Sequence, residues 1–186
     1  MLFRSVMIVG KYKVKRDDTV LIVIDLQERL MNAMKDREKV YKNTNLLLST
    51  AKEFNIPVIL SEQYPRGLGE TATVIKENLP PDYIYIEKQS FSVCGAGLFE
   101  KLADIGKNTV IVCGSETHVC VFQTVRDLIA QGFQVYVVQD AVCSRAKENY
   151  QNGISLMSHM GAIVTNTETV FFDLMKKAGT PQFKKL

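Results

Sequence analysis

The sequence predicts an α/β fold, a three-layer α/β/α sandwich built on a parallel sheet of about six strands. Short β-branched runs alternate along the chain with longer amphipathic segments, which is typical of βαβ units. Each short run is almost continuous in apolar residues, as expected when helices cover both faces of a sheet. Because crossovers between parallel strands are right-handed, we expect a helical layer on each side of the sheet.

Each predicted strand is followed by a predicted helix. In chain order the pairs are 20–24 with 38–54, 58–61 with 71–78, 83–87 with 96–104, 109–113 with 119–131, 134–138 with 146–159, and 162–165 with 167–177. In every pair the strand is an apolar or β-branched run, and the helix carries apolar residues at helical spacing. Gly132 and Gly179 follow helix ends and are predicted C-caps.

Chain length favours one domain with a full core, because the 186 residues are close to the size of a typical domain. We therefore expect a single domain over 1–186, with 1–16 as an N-terminal extension. That extension carries basic residues and no acidic one. It is open to three interpretations: an import leader, an extra edge strand at 6–9, or a docking arm.

Composition narrows the class of protein. The 46% hydrophobic and 23% charged content is ordinary for a globular domain. The net charge of +3 is small and evenly spread, which argues against a nucleic-acid partner. No apolar run approaches the ~20 residues that cross a bilayer, so we expect no membrane partner. Four cysteines without paired spacing favour a reducing compartment and a cytoplasmic location, with mitochondrial import as the alternative.

Three reactive side chains follow predicted strands, where ligands bind to parallel sheets. Asp25 follows the first strand, Lys88 follows the third, and Cys120 lies in the turn after the fourth. Poor solvation at a strand end raises the pKa of a carboxyl group toward values useful for proton transfer. A helix N-terminus and Lys88 would favour the thiolate form of Cys120. The alternative is a structural Asp–Lys pair beside an idle thiol.

Several sequence runs together carry a resemblance to a known family. They are VIDLQ at 23–27, EKQSFS at 87–92, GSETHVCV at 114–121, DAV at 140–142 and SR at 144–145. In this order and over 19–169, the chain resembles the isochorismatase-like cysteine hydrolase superfamily. The runs EQYP at 62–65 and GLG at 67–69 make it most similar to the isochorismatase domain-containing subgroup.

The resemblance implies an isochorismatase-like, Rossmann-like topology and a catalytic triad. In that triad Asp25 is general base and acid, Lys88 is its cationic partner, and Cys120 is the nucleophile. The resemblance also implies a cis peptide between Ser115 and Glu116, with the amide N–H groups of Glu116 and Cys120 forming an oxyanion hole. The implied reaction is hydrolysis of a small amide-like compound through a thioester, without a cofactor, by a homo-oligomer.

Two departures from family patterns bear on the substrate. Nicotinamidases of the superfamily place an Asp and several His residues as metal ligands after the second strand, whereas this chain has Glu62 there and two histidines in all. Glu62 alone cannot build such a site, so we expect no metal, and a metal-dependent nicotinamidase is the less favoured alternative function. Isochorismatases proper can lack the cysteine, so Cys120 favours amide-type hydrolysis over isochorismate cleavage.

Other candidates have competing interpretations. Gln27, Tyr64 and Phe91 flank the predicted pocket and either contact substrate or pack the fold. His118 is interpreted as a polar turn residue, with a Cys–His dyad as the alternative. The remaining cysteines, at 94, 113 and 143, are interpreted as packing residues.

Two functions of other classes stay open. One is a non-catalytic oligomeric binding or scaffold module with the same fold. The other is a peroxide sensor in which oxidised Cys120 would pair with Cys94 or Cys143.

Overall fold

Six strands form one sheet in the computed structural model, which describes residues 9–185. They are β1 (Thr19–Ile24), β2 (Val58–Gln63), β3 (Ile84–Lys88), β4 (Thr109–Ser115), β5 (Gln134–Cys143) and β6 (Ile163–Thr165). All neighbouring strands are parallel, in the order β3-β2-β1-β4-β5-β6. Strand order reverses beside β1, so the carboxyl ends of β1 and β4 flank the position where open sheets bind ligands.

Helices in the described residues connect these strands. They are α1 (Glu28–Met31), α2 (Arg37–Glu53), α3 (Pro65–Leu68), α4 (Thr73–Lys76), α5 (Leu98–Ile105), α6 (Phe122–Ala130), α7 (Lys147–His159), α8 (Thr167–Met175) and α9 (Pro181–Lys185). Two 3₁₀ turns, Arg16–Asp18 and Val93–Ala96, and a π-helical turn, Thr117–Val121, complete the set. No helix between residues 9 and 185 is long and apolar enough to cross a membrane.

The sheet separates two hydrophobic cores. Alternate residues of β1 point to opposite faces: Leu21 and Val23 join α2 and α8, whereas Val20, Ile22 and Ile24 join α5, α6 and α7. Every residue of β1 is buried. The fully apolar run therefore reflects a strand covered on both faces, and the predicted three-layer α/β/α sandwich is confirmed.

Differences from the predicted elements lie mainly at their ends. β5 runs to Cys143, five residues past the predicted end, with a register shift opposite β4 that apolar periodicity does not reveal. The predicted helix 71–78 shortens to α4, and the one predicted from Val119 begins at Phe122, after the π-helical turn. The helices α1, α3 and α9 are too short to show helical periodicity.

The two predicted glycine caps have different outcomes. Gly132 has a φ of 87° and donates its N–H to the Ile129 carbonyl at 2.9 Å, as a C-cap does. The prediction for Gly179 is wrong, because α8 ends at Met175 and Lys176 takes the left-handed position with a φ of 63°. Gly179 lies three residues farther along in a turn of its own.

The N-terminal extension is described only from Val9 onward, so most of the predicted edge strand at 6–9 lies outside the described residues. Within the described part, Val14 is buried in the core, and its N–H donates to the Asp173 carboxylate at 2.5 Å. The Tyr136 hydroxyl also donates to the Lys11 carbonyl. The last part of the extension therefore packs against the domain.

Gly114 allows β1 and β4 to approach closely at their carboxyl ends. It pairs with Ile24 and has a φ of 126°. A Cβ atom at this position would lie 2.0 Å from the Ile24 carbonyl oxygen, which no side chain can tolerate. Glycine here lets the chain segments after β1 and β4 lie side by side.

Candidate active site

Asp25 emerges at the end of β1 into a buried polar site. Its backbone takes a left-handed φ of 50°, and its N–H donates to the Ser61 carbonyl on β2 at 3.1 Å. The Ser61 hydroxyl donates to Asp25 Oδ1 at 2.7 Å. On the other side, the Ser115 hydroxyl donates to the Asp25 carbonyl at 2.9 Å. Both neighbouring strands therefore fix Asp25, β2 through its carboxylate and backbone N–H, and β4 through its backbone carbonyl.

Lys88 reaches Asp25 from the end of β3, across β2. Its Nζ lies 2.6 Å from Asp25 Oδ2, and both side chains have no exposed surface. The same Nζ donates to Gln63 Oε1 at 2.7 Å. The ammonium therefore stands between a carboxylate of β1 and an amide of β2, in a site from which water is largely excluded.

Cys120 lies in the π-helical turn between β4 and α6, with 6% of its surface exposed. Its thiol lies close enough to Asp25 and Lys88 for the charges of both to act on it, in opposite directions. The Thr124 hydroxyl donates to the Cys120 carbonyl at 2.7 Å and ties the turn to α6. The structure thus brings together the three side chains that the sequence places after different strands.

The ionisation of this group differs from the sequence prediction at one position. Burial raises the pKa of Asp25, and the adjacent Lys88 ammonium opposes that rise, so the raised carboxyl pKa agrees with the prediction. The prediction that the surroundings of Cys120 favour its thiolate form is wrong. Burial and the Asp25 charge raise the pKa of this thiol to about 12. The resting sulfur is therefore protonated, and a base must remove its proton before it can attack.

The segment before Cys120 is held by the loop after β5. The Ser115–Glu116 peptide bond is cis. The Glu116 carboxylate accepts hydrogen bonds from the Arg145 backbone N–H at 3.0 Å and from its Nε at 3.2 Å. The His118 ring contacts the Ser144 hydroxyl at 2.9 Å, which favours the interpretation of His118 as a polar turn residue.

The three predicted substrate-binding residues occupy different environments. Gln27 is completely buried, and its side-chain amide bonds to the backbone of Gln63 and Gly69, so we interpret it as a structural residue. Tyr64 and Phe91 are 48% and 54% exposed. They follow β2 and β3, at the same end of the sheet as Lys88. Contact of these two rings with substrate stays a prediction.

Sequence reasoning missed Ser61 and Gln63, the β2 residues that bond to Asp25 and Lys88. They lie two positions apart and therefore point to the same face of the strand. The signal was present in the sequence, since polar residues at alternate positions end an otherwise apolar strand beside β1.

The contacts of the other three cysteine side chains do not include Asp25. Cys113 is fully buried and its thiol points to the Ile22 carbonyl, while Cys143 is buried near Asp36 and Glu116. Cys94 is half-buried against the Thr124 carbonyl, and burial raises its pKa to about 11. These contacts are those of packing residues.

The metal site of the superfamily's nicotinamidases does not fit the residues present at the end of β2. One oxygen of the Glu62 carboxylate accepts hydrogen bonds from the Thr71 N–H and hydroxyl, and the other accepts one from the Tyr85 hydroxyl at 2.9 Å. Among residues 9–185, no group of three or more His, Cys, Asp or Glu residues could hold a metal ion. Glu62 instead anchors the loop that leads to α4.

Comparison with known proteins identifies relatives over most of the chain. Residues 19–169 match the isochorismatase domain family. The secreted isochorismatase effector Isc1 of Phytophthora sojae is 36% identical over 172 residues, which are 90% of this chain and 82% of that protein. Isochorismatase domain-containing protein 1 of Danio rerio is also 36% identical, over 90% of this chain. The chain spans 59% of the length of that zebrafish protein.

Solved structures share the fold. MAR1 ribonuclease from Caenorhabditis elegans superposes with a TM-score of 0.88 at 34% identity, covering 93% of this chain and 89% of its own. YcaC from Pseudomonas aeruginosa, solved with hexane-2,5-diol and covalent acrylamide, has a TM-score of 0.83 at 25% identity, covering 89% and 84%. YcaC from Escherichia coli, described as an octameric hydrolase of unknown specificity, has a TM-score of 0.83 at 27% identity, covering 89% and 83%.

Proposed function

The chain belongs to the isochorismatase family, and from this premise we propose that it is a cysteine-dependent hydrolase of a small amide-like compound. The observation that carries the proposal is the buried cluster of Asp25, Lys88 and Cys120. A carboxylate and an ammonium 2.6 Å apart in a water-poor site are costly to bury. Their placement against a thiol supports a chemical role beyond packing.

In the proposed reaction Asp25 is the proton carrier and Cys120 the nucleophile. The Asp25 carboxylate takes the thiol proton, and the sulfur forms a bond to the carbonyl carbon, whose π electrons move to oxygen. The carbonyl then re-forms as the C–N bond breaks, and the leaving nitrogen takes the proton from Asp25. A raised carboxyl pKa suits both transfers, because the group must accept and return a proton near neutral pH.

A second half-reaction restores the enzyme. Asp25 takes a proton from a water molecule, whose oxygen adds to the thioester carbonyl. The C–S bond breaks, the sulfur recovers the proton, and the carboxylic acid product leaves. We propose that the backbone N–H groups of Glu116 and Cys120 stabilise the negative oxygen in both steps. Lys88 stabilises the sulfur anion and keeps Asp25 in place.

The substrate is proposed to be small because the reacting groups are almost completely enclosed. Cys120 exposes 6% of its surface and Asp25 none. Covalent acrylamide in the Pseudomonas aeruginosa neighbour supports a fold that admits a small amide to a nucleophile. The C. elegans neighbour is described as a ribonuclease, so RNA belongs in the test as a competing substrate.

We also propose a homo-oligomer in a reducing compartment such as the cytoplasm. The Escherichia coli neighbour is octameric, and four cysteines of this chain are free thiols. Light scattering during size-exclusion chromatography measures the assembly directly. A strictly monomeric protein at all concentrations would contradict this part of the proposal.

The test of function is a panel of small amides and ureides screened for ammonia or amine release. Wild-type protein should turn over at least one compound. Cys120→Ala should abolish that turnover while the circular dichroism spectrum is retained, and Cys94→Ala should keep the wild-type rate. Turnover by the Cys120→Ala variant would contradict the mechanism. Cleavage of RNA together with no amide turnover would favour a nuclease, and no turnover of either class would favour a binding module.

A further inference from the structure

The ammonium of Lys88 has three N–H donors, and two of them have acceptors with defined geometry. One donor binds Asp25 Oδ2 at 2.6 Å and a second binds Gln63 Oε1 at 2.7 Å. Burial and the Asp25 charge raise the pKa of the Cys120 thiol, and the charge of this ammonium opposes that rise. Because an ammonium donates and cannot accept, the Asp25 and Gln63 oxygens together fix the position of Nζ.

The orientation of the Gln63 amide is determined by its own partners. Its Nε2 donates to the Gln89 carbonyl at 2.8 Å, which leaves Oε1 facing Lys88. A reversed amide would set its NH₂ group against the ammonium and its oxygen against a carbonyl oxygen, and both contacts would be lost. The amide therefore has one stable orientation, with its acceptor toward the ammonium.

Gln27 fixes the backbone from which the Gln63 side chain extends. Gln27 Oε1 accepts from the Gln63 N–H at 2.7 Å, and its Nε2 donates to the Gln63 carbonyl at 3.0 Å and to the Gly69 carbonyl at 2.6 Å. Gln27 is completely buried and lies two residues after Asp25. The segment that carries the acid thus also holds the residue that fixes the backbone of Gln63.

We propose that Gln63 is a positioning residue, which holds the Lys88 ammonium where its charge favours the thiolate form of Cys120. This proposal rests on the proposed function for the role of Cys120, and it adds a residue that does not itself react. Without the Gln63 acceptor, the Asp25 carboxylate draws the ammonium toward itself with no opposing hydrogen bond from Gln63. Its charge is then held less firmly where it favours the thiolate.

The test measures the alkylation rate of Cys120 by iodoacetamide, site by site, from mass spectra of digested protein. Below its pKa a thiol reacts in proportion to its thiolate fraction. Gln63→Met keeps the length of the side chain and removes the acceptor. It should slow alkylation of Cys120 by about tenfold at any one pH, which corresponds to a rise of about one unit in the thiol pKa. Gln151→Met, at an exposed position on α7, should retain the wild-type rate.

Cys94 serves as an internal reference in the same digest, since its alkylation should not change in a folded variant. Where Gln63→Met proves poorly folded, the isosteric Gln63→Glu decides. Its carboxylate draws the ammonium away from sulfur and also opposes the thiolate, so it too should slow Cys120 selectively. Wild-type alkylation of Cys120 in a folded Gln63 variant would overturn the proposal. Because alkylation needs no substrate, the result is independent of whether the amide panel finds an activity.

Discussion

Replacement of Lys88 by Met should cause a large loss of stability at neutral pH. Lys88 Nζ lies 2.6 Å from Asp25 Oδ2, and neither side chain is exposed. Met approximates the length of the lysine stem, so the variant keeps most of the packing but leaves the Asp25 carboxylate buried without its cation. Removing one partner of a buried pair costs about 3–5 kcal/mol, and we expect a loss of unfolding free energy in this range.

The loss should shrink as the pH falls. Burial already raises the pKa of Asp25, and removal of Lys88 raises it further because that ammonium lowers it. A carboxyl group whose pKa is higher in the folded protein than in the unfolded chain binds its proton more readily when folded. Its contribution to stability is therefore greatest below the unfolded pKa, about 3.9, and is lost as the pH rises through the folded value.

Urea unfolding of wild-type and variant protein at neutral and mildly acidic pH measures both effects. The matched control is Lys76→Met. Lys76 and Glu70 form an ion pair of the same 2.6 Å length, but the two side chains are 44% and 75% exposed, so water screens the charges and little stability should be lost. The reasoning is refuted if the two variants lose equal stability at neutral pH, or if the Lys88→Met loss grows in acid.

Two further predictions concern Gly114 near the end of β4 and Asp25 after β1. Gly114→Ala should lose on the order of 3 kcal/mol or more in urea unfolding, since its Cβ would collide with the Ile24 carbonyl. Gly106→Ala also has a positive φ but meets nothing within 4 Å, so it should lose only about 1–2 kcal/mol, and equal losses would contradict the role of close approach. For any amide that is turned over, kcat/KM should fall toward acid pH with a midpoint above the ordinary aspartate value of about 3.9, because protonated Asp25 cannot accept the thiol proton. A midpoint at the ordinary value would contradict a buried base.

Local sequence patterns were sufficient to predict the sheet and to place the reactive residues at the ends of its strands. An apolar run that ends in Asp25, or in the residues before Lys88, identifies a strand end without knowledge of the rest of the chain. Parallel strands then bring those ends to one edge of the sheet. This is why residues separated by 63 positions, Asp25 and Lys88, could be expected to meet.

Properties that depend on packing could not be predicted in the same way. The thiol pKa of Cys120 is set by burial and by Asp25, whereas its place near a helix start suggested the opposite direction. The buried amide of Gln27 was ambiguous, because a glutamine next to a catalytic segment can face substrate or backbone. β5 extends to Cys143 through a shift in its register with β4. Such a shift cannot be recognised from the spacing of apolar residues in the sequence.

The central claim is that the Cys120 sulfur becomes covalently bound to the acyl part of the substrate. The most direct measurement adds hydroxylamine during turnover of an amide and, in a parallel reaction without hydroxylamine, maps acylated peptides after an acid quench. Hydroxylamine should divert the thioester to a hydroxamate, and any acyl group should map to Cys120. Turnover that yields no hydroxamate and persists in the Cys120→Ala variant would contradict the account.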